Sequence, residues 1–200
     1  MISSEEALNR LRKGNERFVS DSSIFNNALS HKSRRHSLAE DQDPFAIILG
    51  CSDSRVSSEI VFDQGLGDLF VVRVAGNIVA PSQIGSIEFA VERFGARLVV
   101  VMGHSRCGAI QATLDSLRHP SEDQSRNLRS IIDRIRPSLE LLDMDQDPEI
   151  TLQQAVRANI HSSVSQLQYE SRILEQLIKE SDLLILGAEY SLDTGIVNFL

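Results

Sequence analysis

Two short segments of this 200-residue chain carry residue types that can do chemistry together: Cys51-Ser52-Asp53-Ser54-Arg55 and His104-Ser105-Arg106-Cys107. They hold the only two cysteines and one of the five histidines. Two thiolates and an imidazole are zinc ligands, and a nearby carboxylate can complete the set. A structural zinc site wants four permanent Cys or His ligands, and there is no third cysteine. The other histidines, His31, His36, His119 and His161, lie in polar arm or helix contexts with no pairing logic. The fourth position therefore falls to water or a carboxylate, the pattern of a catalytic zinc. Asp53, two residues from Cys51, is the candidate carboxylate. Asp53 and Arg55 project to one side of an extended loop and can pair through a bidentate contact. Such a pair keeps Asp53 ionised and able to accept a hydrogen bond from a metal-bound water; if Arg55 lets go, Asp53 can swing onto the metal.

The elements that must position these residues are legible around them. Each segment directly follows an apolar run, Phe45–Gly50 before the first and Leu98–Gly103 before the second. Two parallel strands ending side by side would bring Cys51, His104 and Cys107 to one edge of a sheet, where α/β proteins build their sites. Gly108, directly after Cys107, opens a helix whose free N-terminal amide suits a developing oxyanion.

Further strands are expected at 69–74, 183–186 and 196–199, and helices near 57–63 and over 82–94. A helix carrying Leu128 to Leu142 should kink or restart at Pro137. A longer helical stretch runs over about 150–180. The last two strands read as a hairpin, so the expected fold is α/β: a mostly parallel central sheet with an antiparallel edge strand, flanking helices and an N-terminal helical arm.

That arm, residues 1–43, starts at a capping box, Ser3-x-x-Glu6, and an amphipathic helix with Ala7, Leu8, Leu11 and Phe18. It continues as a polar stretch over 20–43. A lone helix with so little core of its own is expected to pack against another subunit. Residues 44–200 form the α/β core, and the whole, 1–200, reads as one domain.

A formal net charge of −8 argues against nucleic acid or an anionic membrane as partner. No apolar run exceeds strand length, and the first residues lack the basic start and apolar core of a signal peptide. Two cysteines make no disulfide framework, so a cytoplasmic protein is expected. The basic cluster Lys32, Arg34, Arg35, with His31 and His36, reads as a solvated loop. Gly65-x-Gly67 is followed by a strand, so it is no dinucleotide fingerprint, and the absence of Cys-x-x-Cys argues against thiol redox chemistry.

Cys51-Ser-Asp53-Ser-Arg55-Val56 followed by Gly-His104-Ser-Arg-Cys107-Gly108-Ala109 resembles the β-class carbonic anhydrases. So do Asp68-Leu-Phe70-Val-Val-Arg73-Val-Ala-Gly76-Asn77, Ser86-Ile-Glu88-Phe89-Ala90 and Gly187-Ala-Glu-Tyr190-Ser-Leu-Asp193-Thr-Gly195. The resemblance implies reversible hydration of carbon dioxide to bicarbonate and a proton by attack of zinc-bound hydroxide. Cys51, His104 and Cys107 would hold one Zn2+ per chain. Asp53 would be either a fourth ligand, in a closed form, or the partner of Arg55, in an open one.

Gln42, Phe70 and Phe89 match positions lining the substrate cleft near a dimer interface, and Gly108 would offer its amide to the substrate. Some members carry tyrosine at the position of Phe89. The resemblance also implies a homodimer or homotetramer, with the N-terminal arm gripping a second subunit. Some bacterial members bind bicarbonate at a non-catalytic site of Trp, Arg and Tyr. Arg73 and Tyr190 match two of these, but Ile48 stands at the third, so weak or absent regulation there is expected. The nearest rival activity is hydrolysis of carbonyl sulfide or carbon disulfide on the same zinc.

Overall fold

A computed structural model describes residues 2–23, 32–119 and 125–200. Residues 24–31 of the arm, with His31, and 120–124 of the polar break lie outside the described residues. Five strands form one sheet in the order β2-β1-β3-β4-β5: β1 Ala46–Gly50, β2 Leu69–Arg73, β3 Leu98–His104, β4 Leu184–Tyr190 and β5 Val197–Phe199. β1 pairs parallel with β2 and β3, and β3 pairs parallel with β4. β5 turns back antiparallel on β4. The expected mostly parallel sheet with an antiparallel edge strand is the fold observed. β1 and β3 are buried along their whole length, which is why they read as unbroken apolar runs rather than alternating ones.

Alternate residues of these strands feed two cores. Ile47, Leu49, Val99 and Val101 face a layer built from α4 (Pro81–Phe94), α5 (Gly108–Arg118), α6 (Arg126–Leu139), α7 (Pro148–Tyr169) and α8 (Arg172–Glu180). Ala46, Ile48, Val100 and Met102 face the other side, covered by α1 (Ser4–Val19) and α3 (Ser58–Val61). A one-turn α2 (Lys32–Ser37) lies in the arm.

Three expectations change. α1 does not wait for a second subunit: Ala7 and Leu11 are fully buried against the sheet of their own chain. Full burial of a leucine side chain stabilises by about 1.5–3 kcal/mol. Gly14 permits the close approach, because a Cβ there would lie 1.8 Å from the Phe62 carbonyl oxygen.

Second, of the two outcomes expected at Pro137, the restart does not occur: α6 is one helix that ends at Leu139. So near the C-terminus the ring costs only one intrahelical bond. Third, the stretch over 150–180 is two helices. Ser171 caps α8 by accepting from the Leu174 amide and also bonds Glu88, a tertiary contact that breaks the helix. The basic cluster also gains structure: α2 carries it, and Arg34 donates to Asp68 at 2.8 Å and to the Leu66 carbonyl at 2.8 Å.

Candidate active site and metal centre

The parallel pairing of β1 and β3 sets Gly50 opposite Met102, so Cys51 leaves one strand beside the His104 that ends the other. Two residues on, the chain enters α5, with Cys107 at the N-cap and Gly108 as the first helical residue. The Cys51 and Cys107 sulfurs lie 4.0 Å apart. The ligating atoms of Cys51, His104 and Cys107 all lie within 4.8 Å of one another, and all three residues are buried. A tetrahedral zinc with bonds of about 2.3 Å to sulfur spaces two sulfurs about 3.8 Å apart, so the trio fits that ion.

The imidazole is prepared for it. His104 Nδ1 lies 2.9 Å from the Ser105 carbonyl oxygen and donates to it, which leaves the Nε2 lone pair free. Nε2 is buried and has no hydrogen-bond partner among the described residues. A buried polar atom without a partner costs about 1–3 kcal/mol, so it marks a position that a cation would satisfy.

The sulfurs carry a matching tension. The hydrogen bond from Cys107 holds the Cys51 thiol well below its usual range against the opposing effect of burial, helped by His104 and the amides of Gly76 and Asp53. Cys107 is pushed up by its hydrogen bond to Cys51, by burial and by repulsion from the Cys51 charge, while the amides of Ala109 and Ile110 draw it down. Binding of a divalent cation by two such thiols releases their protons.

The rim holds the carboxylate. Arg55 donates from Nε to Asp53 Oδ1 at 2.9 Å and from a terminal nitrogen to Oδ2 at 2.7 Å. Its backbone amide also donates to Oδ1 at 3.0 Å. The Arg55 side chain, more than any other cause, holds the Asp53 carboxyl well below the usual carboxylate range. Asp53 Oδ2 stays 3.9 Å from His104 Nε2, within reach of the metal position. Arg73 fixes the loop from beneath, donating to the Cys51 carbonyl at 2.9 Å and the Asp53 carbonyl at 2.7 Å. Arg73 is thus committed to backbone, while Ile48 and Tyr190 are buried.

The other expected site residues divide. A Cβ on Gly108 would meet nothing within 4 Å, so the space before the α5 N-terminus is open. The rings of Phe70, Phe89 and Phe94 form a triangle, with centroids 5.7–6.4 Å apart. Phe70 and Phe94 pack on the core cluster that contains Cys51 and Cys107, and Phe89 is 54% exposed. Gln42 is exposed in a surface depression with Arg35, Leu38 and Leu66, apart from the trio on this chain.

One contact was not legible: the Gly76 amide donates to the Cys51 sulfur at 3.4 Å. Its only trace in the sequence is a Gly-Asn pair, Gly76-Asn77, shortly after a strand.

A family profile described as carbonic anhydrase matches residues 46–197. The carbonic anhydrase of Mycolicibacterium smegmatis is 39% identical over 194 residues, 94% of this chain and 88% of that protein. Carbonic anhydrase 2 of Mycobacterium tuberculosis is 38% identical over 186 residues, 92% of this chain and 87% of that protein. The solved β-carbonic anhydrase CafA of Aspergillus fumigatus is similar in fold, with a TM-score of 0.73 at 23% identity, over 98% of this chain and 89% of that one. The chain belongs to the β-class carbonic anhydrases, lyases whose substrates are carbon dioxide and bicarbonate.

Proposed function

We propose that this chain binds one zinc through Cys51, His104 and Cys107 and hydrates carbon dioxide reversibly to bicarbonate and a proton. The observation that carries the reading is His104 Nε2, buried, without a hydrogen-bond partner among the described residues, and within 4.8 Å of the Cys51 and Cys107 sulfurs. Zinc held there would supply a Lewis acid that lowers the pKa of a bound water to near neutral pH and so makes it a nucleophile. Two thiolates donate more charge than imidazoles, so the value here lies above that of an all-histidine site.

The remaining roles belong to the protein. Asp53, ionised by Arg55, accepts a hydrogen bond at the metal position and orients the nucleophile. Arg73 keeps Cys51 and Asp53 in one rigid loop. Phe70 and Phe89 offer an apolar wall for carbon dioxide. The Gly108 amide, at the positive end of α5, stabilises the negative charge that grows on the product.

Phe89 on the surface and Gln42 away from the trio support a second copy of the chain covering this face and completing the cleft. The assembly is then a dimer or a tetramer.

Elemental analysis tests the metal reading. One zinc per chain is expected in the wild-type protein, with a small fraction remaining in Cys107→Ser. Equal zinc in both would reject Cys107 as a ligand.

A further inference from the structure

The Gly76 amide reaches Cys51 from a strained place. Gly76 has φ +69° and the next residue, Asn77, φ +43°, so two successive residues sit in the left-handed region, the second without a glycine's freedom. A Cβ on Gly76 would lie 2.8 Å from Ile135 and 3.1 Å from Ala109. Such a turn persists only where its surroundings hold it.

Two polar side chains on α7 do so. Asn159 Nδ2 donates to the Gly76 carbonyl at 2.8 Å, and Ser163 Oγ donates to the Asn77 carbonyl at 3.1 Å. They lie one helical turn apart and are 3% and 2% exposed. Apart from Thr151, which bonds within its own helix, the rest of the buried face of α7 is apolar, with Ala155, Val156, Ile160 and Leu167. Polar groups are expensive there, and both are spent on consecutive carbonyls of one turn.

We propose that Asn159 and Ser163 are positioning residues that aim the Gly76 N–H at the Cys51 sulfur and thereby set how strongly that sulfur donates to the metal. The inference rests on the zinc reading above. A hydrogen bond to a ligating thiolate withdraws electron density from sulfur, and partners of this kind typically change metal affinity 10–100-fold when removed. Asn159 acts on the metal site from α7 without touching a metal ligand.

Cobalt(II) substitution tests it, because sulfur-to-cobalt charge transfer reports the donation directly. The wild type should take up cobalt with an intense near-ultraviolet charge-transfer band. Asn159→Ala and Ser163→Ala should shift that band to lower energy and weaken metal retention against a chelator by about 10–100-fold. Thr151→Val serves as control. It removes another buried hydroxyl of α7, one bonded to the Asp147 carbonyl at 3.0 Å, and should leave band and retention unchanged.

An unshifted band and wild-type retention in a folded Asn159→Ala protein would overturn the proposal. Should that variant fail to fold, an unshifted Ser163→Ala would do the same. A shift in Thr151→Val equal to theirs would reduce the effect to general loosening of α7 and also overturn it. Absence of any thiolate band in the wild type would instead overturn the zinc reading itself.

Discussion

The two segments that supply the ligating side chains are built to opposite standards. His104 and Cys107 are 0% and 1% exposed, locked between the end of β3 and the start of α5, with the intervening Ser105 hydroxyl accepting from the Leu192 amide at 3.0 Å. In the other segment burial stops at Cys51. The Asp53 side chain is 17% exposed and that of Arg55 54% exposed, on an irregular loop that Arg73 clamps only through backbone carbonyls. One segment can only hold; the other can hold or adjust. In the proposed zinc site this division would keep the metal ligands fixed while a single carboxylate could exchange Arg55 for another partner.

The largest break in this contrast comes from the sealed side. Cys107→Ser should reduce metal binding and carbon dioxide hydration to a small fraction of wild type, since an oxygen replaces one of the two soft ligands. Metal content and rate should fall together, and full activity without zinc would refute the assignment.

On the adjustable side the two should separate. Asp53→Ala should keep about one zinc per chain yet lower kcat/KM by roughly 10²-fold or more, the range for losing a positioned acid–base group. Arg55→Lys replaces a two-pronged contact with a point charge and should cost less, about tenfold. Metal loss in Asp53→Ala would place Asp53 among the fixed ligands.

A finer separation lies at Gly108. Its Cβ position is empty, so Gly108→Ala should leave the melting temperature unchanged or raise it by the equivalent of up to about 1 kcal/mol. The same methyl group intrudes where substrate would sit, so KM for bicarbonate should rise. A fall in stability with unchanged KM would mean that the open space serves no ligand.

The smallest effect is on acid stability. The folded-state pKa of Asp53 is depressed, so its contribution is fully present above the unfolded value of about 3.9 and is lost as pH falls towards the folded value. The melting-temperature gap between wild type and Asp53→Asn should therefore be constant above about pH 5 and narrow below about pH 4. A gap that narrows between pH 8 and 6 would show that another group controls the pair.

Much of this site could be read in the sequence because its parts are local. An apolar run that ends in a cysteine fixes where the thiol emerges, and Asp53 and Arg55 are close enough in sequence to meet. What escaped depends on distant packing. An amphipathic stripe shows that α1 must cover something, but not that the surface belongs to its own chain. The break at Ser171 depends on Glu88, 83 residues away. The hold of Asn159 on Gly76 spans the same separation, and its only local sign is a polar residue on an apolar helix stripe. Gln42 and Phe89 matched a cleft, yet a single chain leaves one apart from the trio and the other on the surface.

The most direct test is stopped-flow hydration of carbon dioxide from mildly acidic to alkaline pH, on zinc-replete and zinc-stripped protein. The account predicts turnover that requires zinc, returns when zinc is restored and climbs with pH. Turnover that survives removal of the metal, or that is already full in acid and flat thereafter, would contradict it.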